Sequence, residues 1–294
     1  MPSATTRRSR VSVDLEEALR RATAQLHDAG VPSPRADAEL LAAHLLDVSR
    51  GRVGALALAG TPAPVGYAEL VDRRATRIPL QHLTGVAYFR HLELSVGPGV
   101  FIPRPETELL AQLAIDRARQ VLAERGAVRV VDLGTGSGAV AASVASEVPG
   151  AEVHAVELSE DAYPYAAVNT APHGVQLVAG DLRTALEGQE GRFDIVVSNP
   201  PYIPPGAIPR DPEVRDHDPE LALYGGGPDG LELPRAVITT AERLLVPGGY
   251  LALEHADLQG PAMLGLFGAS SRWVDINGHR DLNDADRVTS GYLA

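Results

Sequence analysis

The chain contains no cysteine among its 294 residues. A disulfide framework, a thiolate nucleophile and a zinc–cysteine site are therefore excluded. Lysine is missing as well: all 26 basic residues are arginine. That removes a phosphate-binding loop ending in Gly-Lys-Ser/Thr, a Schiff-base lysine and the lysine of a kinase. No run reaches the ~18 apolar residues needed to span a bilayer, so no membrane association is expected. The segment before Asp14, "MPSATTRRSRVSV", has arginines but no apolar h-region, which speaks against a secretory signal. A cytoplasmic location is the expectation, although a cysteine-free chain also suits an oxidising compartment. The net charge of −12 is unevenly spread, with 11 Arg against 9 acids over residues 1–85 and 15 Arg against 29 acids beyond. A duplex-DNA binder normally presents a basic face, and the acidic second part argues against one.

What is present divides by periodicity. "VDLEEALRRATAQLHDAG" places Leu15, Leu19, Ala22 and Leu26 at helical spacing, with Ser12 or Asp14 as cap and Gly30 as stop. "SPRADAELLAAHLLDVSRG" reads as a helix from a Ser33 cap with Pro34 in its first turn to Gly51, and 64–79 as a third. Residues 1–85 thus form a helical bundle, with 1–10 as a disordered arm. "AYFRHLELSV" alternates and predicts a hairpin within a linker over 86–100. From 101 to 294 strands and helices alternate. Strands are expected at 128–134, 151–157, 175–181, 193–199 and 249–255, with a closing strand pair in "RWVDINGH" and "DRVTSGYLA". Helices lie between them, including "EDAYPYAAVNTA", which Pro164 interrupts. This order implies an open, mostly parallel α/β sheet. Nine prolines and five glycines fall between Pro200 and Pro234, a long loop at a strand's carboxyl end of the kind that is either functional or disordered.

Two motifs carry chemistry. In "VVDLGTGSGAV" a strand ends at Asp132, and Gly134, Thr135, Gly136, Ser137 and Gly138 lead into a helix start. Such a turn lets a ligand touch backbone and offers it unpaired N–H groups. Alone it also fits a dinucleotide fingerprint. Glu157, at the end of the next strand, can accept both ribose hydroxyls. Asp132 suits an amino group or water better than a pyrophosphate. Asp181 and Leu182, in "GDL", end the third strand, where Asp181 or its backbone can meet an adenine amino group. The order resembles class I S-adenosylmethionine-dependent methyltransferases. The second motif is "NPPY", Asn199–Tyr202. The lone pair of a planar –NH2 on an sp2 carbon is delocalised, so the enzyme must hold its N–H groups and aim its nitrogen. The Asn199 side-chain carbonyl and the Pro200 carbonyl supply two acceptors; Pro200 and Pro201 stiffen them, and Tyr202 offers a flat face.

Asn-Pro-Pro-Tyr therefore predicts a target group, carried by both N6-adenine and glutamine methyltransferases. "FIPRPETELL" (101–110), "VRDHDPELALYGGGPDGL" (214–231), "LALEHADLQG", "DLNDADRV" and the junction "IPLQHLTG" (78–85), together with "NPPY", resemble the HemK-type family of release factor glutamine methyltransferases. The resemblance runs from about Pro79 to the end, and the helical N-terminal part is similar to that family's recognition bundle. It implies a seven-stranded methyltransferase fold and S-adenosyl-L-methionine as cofactor. It further implies methylation of the side-chain nitrogen of the glutamine in the Gly-Gly-Gln motif of class I peptide-chain release factors. Gly134–Gly138, Glu157, Leu182 and Asn199 would line the cofactor site, Phe101 would close over it, and Asn199, Pro200, Pro201 and Tyr202 would grip the glutamine. Three departures stand out: Glu157 for the more usual Asp, Leu182 where several members have Trp, and a less aromatic "EHADLQ".

The implied partner is a protein substrate met by a monomer, without stable nucleic acid or membrane. The rivals are a glutamine methyltransferase of a ribosomal protein, an N6-adenine nucleic-acid methyltransferase and an idle binding scaffold. No metal is expected, since the nine histidines form no close pair at ligand spacing. His217 could meet the substrate or simply face solvent. Arg73, Arg74 and Arg77 could meet an acidic partner or form a solvated face.

Overall fold

The computed structural model describes residues 13–294, which divide into two compact units between Thr84 and Gly85. The expected N-terminal arm and the Ser12 cap lie outside the described residues.

The first unit is helical: α1 (Leu15–Asp28), α2 (Pro34–Leu46), α3 (Arg50–Leu58), α4 (Tyr67–Ala75) and α5 (Leu80–Thr84). Asp14 caps α1 by accepting the Glu16 N–H at 2.8 Å. All four spaced apolar residues of α1, Leu15, Leu19, Ala22 and Leu26, are buried. The second helix is shorter than expected. It ends at Leu46 because Asp47 turns left-handed, with φ of 52°, and Ser49 caps a new helix by accepting the Arg52 N–H at 3.3 Å. Arg74 is not on a solvated face. It is 4% exposed and gives its Nε–H to Asp37 Oδ2 at 2.8 Å and a second N–H to the Ile78 carbonyl at 3.1 Å. Arg73 is exposed and Arg77 half-buried.

The second unit opens with a hairpin of β1 (Val86–Phe89) and β2 (Leu92–Ser95). The hairpin is anchored: Phe89 and Leu94 are buried in one core with α6 (Thr107–Arg125). The sheet elements follow in order: β3 (Val128–Leu133), α7 (Ala139–Glu147), β4 (Ala151–Glu157), α8 (Tyr163–Thr170), β5 (Gln176–Ala179), β6 (Phe193–Ser198), α9 (Pro212–His217), α10 (Glu220–Leu223), α11 (Glu232–Leu244), β7 (Leu245–Glu254), α12 (Gly260–Gly268), β8 (Trp273–Arg280) and β9 (Asp286–Leu293). Pro164 sits in the first turn of α8, so it opens that helix and does not interrupt it.

The seven strands lie in the order β5-β4-β3-β6-β7-β9-β8. The first five are mutually parallel, and β9 inserts antiparallel between β7 and β8. The central strands read as almost unbroken apolar runs because helices cover both faces. Val130, Ile195, Val197 and Ala252 pack under α6 and α7, while Val131, Val196, Leu251 and Leu253 pack under α11 and α12. Strand order reverses between β3 and β6, and an open parallel sheet leaves a crevice at the carboxyl ends there.

Asp37→Ala leaves the Arg74 guanidinium buried without its carboxylate. Denaturant unfolding of the full chain should show the first unit destabilised by about 3–5 kcal/mol. A loss below about 1 kcal/mol, the value of an exposed pair, would show the pair to be dispensable.

Candidate active site

The carboxyl ends of β3, β4, β6 and β7, with the turn that follows β5, open onto one cavity of about 540 Å3. That volume suits a nucleoside-sized ligand together with the group it acts on. Its wall includes Gly134, Thr135, Gly136, Ser137, Glu157, Asp181, Leu182, Asn199, Pro201, Tyr202 and Phe101. Gly138 and Pro200, also expected at the site, do not line it; Pro200 is buried behind the wall. His217, at the end of α9, is half-buried and also off the wall.

The glycine turn is fixed from behind. The N–H groups of Gly134 and Thr135 both bind the Val156 carbonyl at 2.9 Å. Asn169 of α8 donates to the carbonyls of Ser137 at 2.8 Å and Ser95 at 2.9 Å, and it accepts the Ser95 N–H at 2.8 Å. Gly138 has φ of 84°, and a Cβ there would lie 2.6 Å from Thr170 Cγ2. Its role is close packing of α7 on α8, which explains its absence from the wall.

Three strand ends bring buried carboxylates to the cavity. Asp132 Oδ2 accepts the Thr135 hydroxyl at 2.6 Å and the Ala141 N–H at 3.3 Å. Burial pushes its carboxyl up to about 7. Glu157 accepts the Gly136 N–H at 2.7 Å on one oxygen and the Ser159 N–H at 2.7 Å on the other. Its carboxyl is raised by burial, against the pull of these backbone bonds. A carboxylate has about four acceptor positions, so two remain for hydroxyls. Glu254, at the end of β7, is 2% exposed, and burial pushes it up to about 7. The arginines of the wall are already matched: Arg183 to Asp181 at 2.6 Å, Arg104 to Asp218 at 2.6 Å and Arg287 to Asp281 at 3.2 Å. Asp181 therefore offers a carboxylate already held by a guanidinium. The remaining acidic excess favours a cationic ligand carrying hydroxyl and amino donors. S-adenosylmethionine, with its sulfonium, amino group and ribose diol, fits that description.

Asn199 and Tyr202 follow β6. The Asn199 amide donates from Nδ2 to Thr107 Oγ1 at 3.2 Å, and the Thr107 hydroxyl donates to Glu254 Oε1 at 3.2 Å. Burial raises the Tyr202 phenol, with Glu254 adding to the shift and Arg287 opposing it. The long loop after Tyr202 has structure of its own, because α9 and α10 lie within it. Ile203 N–H binds the Leu223 carbonyl at 2.8 Å, and Gly225 N–H returns to the Ile203 carbonyl at 3.1 Å. A Cβ on Gly225 would lie 2.6 Å from the Pro201 carbonyl and 2.8 Å from Tyr202 Cα, so only glycine permits this approach. Gln259 adds a 2.9 Å bond to the Tyr202 carbonyl. Arg104 lies 5.0 Å over the Phe101 ring while pairing with buried Asp218, which ties "FIPRPE" to the loop.

Sequence reasoning had not singled out Thr107, Glu254 or Asn169. The available signals were faint: Thr107 within "RPETE", and Glu254 as a third acid ending an apolar strand, like Asp132 and Glu157.

Asp132 takes up a proton in the folded chain between its ordinary value of 3.8 and about 7, so its contribution to stability falls as pH rises through that window. Asp132→Asn should therefore raise the Tm of the ligand-free protein at pH 8, by roughly 2–4 °C if about 1 kcal/mol of strain is relieved. The gain should shrink towards pH 5, while cofactor binding weakens. A thermal-shift series that shows the same gain at both pH values would refute the assignment.

The family described as the PrmC N-terminal domain matches residues 17–85, and the methyltransferase small domain matches residues 106–208. A release factor glutamine methyltransferase of Streptomyces coelicolor is 52% identical over 93% of this chain and 96% of its own length. One of Mycolicibacterium smegmatis is 47% identical over 95% of this chain and 98% of its own. A Streptomyces pristinaespiralis protein named 4-amino-L-phenylalanine/4-methylamino-L-phenylalanine methyltransferase is 43% identical over 92% of each. Among solved structures, the hMettl16 catalytic domain in complex with MAT2A 3'UTR hairpin 6 shares the fold, with a TM-score of 0.52 at 14% identity over 68% of this chain and 75% of that one. With relatives this similar along nearly its whole length, the chain belongs to the release factor glutamine methyltransferase family.

Proposed function

We propose that this protein transfers a methyl group from S-adenosyl-L-methionine to the side-chain amide nitrogen of the Gly-Gly-Gln glutamine in class I peptide-chain release factors. The observation that carries the reading is the site itself: Asn199 and Tyr202 share one cavity wall with the glycine turn and Glu157.

Glu157 and the backbone of Gly134–Ser137 would hold the ribose and the amino-acid end of the cofactor. Leu182 would supply an apolar face for the adenine, and Phe101 would close the other side. When bound, the cofactor supplies a methyl on a sulfonium, and transfer forms one N–C bond, breaks one S–C bond and leaves a neutral thioether. The residues of the chain do the positioning. Asn199 Oδ1 accepts an N–H bond of the glutamine amide and Tyr202 packs on its plane, while the Pro200 carbonyl, expected as the second acceptor, lies off the cavity wall. Held this way, the nitrogen presents its face to the methyl; the proton leaves once the new bond has formed. Orientation of this kind contributes on the order of 7–11 kcal/mol in favourable intramolecular reactions. No strong base is required.

The target chemistry does not by itself choose the substrate, since a relative is named for a small arylamine. Full-length relatives named for release factors, at 52% and 47% identity, support the protein substrate. A labelled-methyl assay should run a release factor, its Gly-Gly-Gln Gln→Ala variant, ribosomal protein, DNA and 4-amino-L-phenylalanine side by side. Label on the intact release factor alone is expected; label on any other substrate in preference would replace this reading. Asn199→Ala should lower kcat by at least about 100-fold, as misplacement of a reacting group does, while cofactor binding is largely kept. Near-wild-type turnover would remove Asn199 from the acceptor role.

A further inference from the structure

An amide side chain has a carbonyl end and an NH2 end of nearly the same shape. Turned one way, Asn199 accepts the N–H of a substrate amide; turned the other, it repels it. Something must fix the choice. The hydrogen bonds run in one direction: Asn199 Nδ2 to Thr107 Oγ1, and the Thr107 hydroxyl to Glu254 Oε1. An ionised carboxylate can only accept. It therefore takes the hydroxyl proton of Thr107, which leaves Thr107 Oγ1 only lone pairs for Asn199, and only the NH2 end can use them. Oδ1 is then left for the cavity, and among the described residues no donor is paired with it. Glu254 Oε2 is buried with no hydrogen-bond partner among the described residues, and the Asn199 NH2 also faces this carboxylate, opposing the rise that burial causes. Burying such a carboxylate is costly, and a fold that needed only to pack this position would do better with an apolar side chain.

We propose that Thr107 and Glu254 are positioning residues: Glu254 orients the Thr107 hydroxyl, and Thr107 locks the Asn199 amide with its oxygen towards the nitrogen to be methylated. The inference deepens the glutamine-methylation reading and rests on it. The charged and titratable groups facing Glu254 are Glu106 at the start of α6, Tyr202 after β6 and Arg287 of β9, with Arg287 the only cation among them. Protonation of Glu254 turns its carboxyl into a possible donor to Thr107, which allows the whole chain to reverse. Because burial holds this carboxyl up at about 7, the ordered direction is lost as pH falls through that value.

The test is steady-state methylation of the release factor by the full-length protein at saturating cofactor, with cofactor Kd measured separately. That separation matters because Asp132, which faces the cofactor end, titrates near the same pH. Thr107→Val and Glu254→Gln should lower kcat by about 100-fold with little change in cofactor Kd, and Thr107→Ser should restore kcat. The wild-type kcat should fall as pH drops from 8 to 6, whereas Glu254→Gln should show a low, flat profile. If Glu254→Gln does not fold, the Thr107→Val and Thr107→Ser pair decides the matter. Near-wild-type kcat in Thr107→Val, or equal loss in Val and Ser, overturns the relay. A wild-type protein that places no methyl on the release factor sinks the functional reading, and the relay with it.

Discussion

The site depends on parallel strands ending side by side. A parallel sheet aligns its carboxyl ends, and a reversal of strand order opens a crevice between them. In this chain β3 and β6 flank that reversal. The strand before it delivers Asp132 and the glycine turn, and the strand after it delivers Asn199. Their neighbours β4 and β7 add Glu157 and Glu254 from the two sides. Residues proposed for the donor and acceptor sides thus come from different strands yet line one cavity, with no loop having to span the gap.

The same arrangement creates an electrostatic problem. Asp132, Glu157 and Glu254 are each nearly sealed from water, and burial raises all three carboxyls. The wall arginines do not relieve this, because each already has its own carboxylate. Above about pH 7, where Asp132 and Glu254 ionise, the ligand-free site holds unspent negative charge. A cationic donor relieves the excess on arrival, whereas the neutral thioether left after transfer relieves less.

Much of this was legible in the sequence because its local signals agree with its global ones. The spacing of Leu15, Leu19, Ala22 and Leu26 located α1, and the apolar runs located β3, β4 and β6. "DLGTGSG" and "NPPY" pointed to turns that line one cavity. What stayed hidden has physical causes. Asp47 takes a left-handed conformation and splits what reads as one helix, and neither residue type nor spacing announces that. Pro164 is compatible with a first turn as well as with a break, and only the start of α8 decides. Gly138 reads as part of a ligand loop, but its neighbour is Thr170, 32 positions along the chain. Thr107 and Glu254 are 147 positions apart, so a hydrogen bond between them has no local signature at all.

The loop after Tyr202 has two sides with different obligations. Its inner side, through Gly225 and the Ile203 pairing, lies against the diproline backbone at distances that tolerate no side chain. Its outer side carries Ile208, 74% exposed and off the cavity wall. Mutational drift on the outside is therefore uncoupled from the geometry inside. Exposed positions such as Ile208 can vary without disturbing the backbone that holds Pro201 and Tyr202 in place.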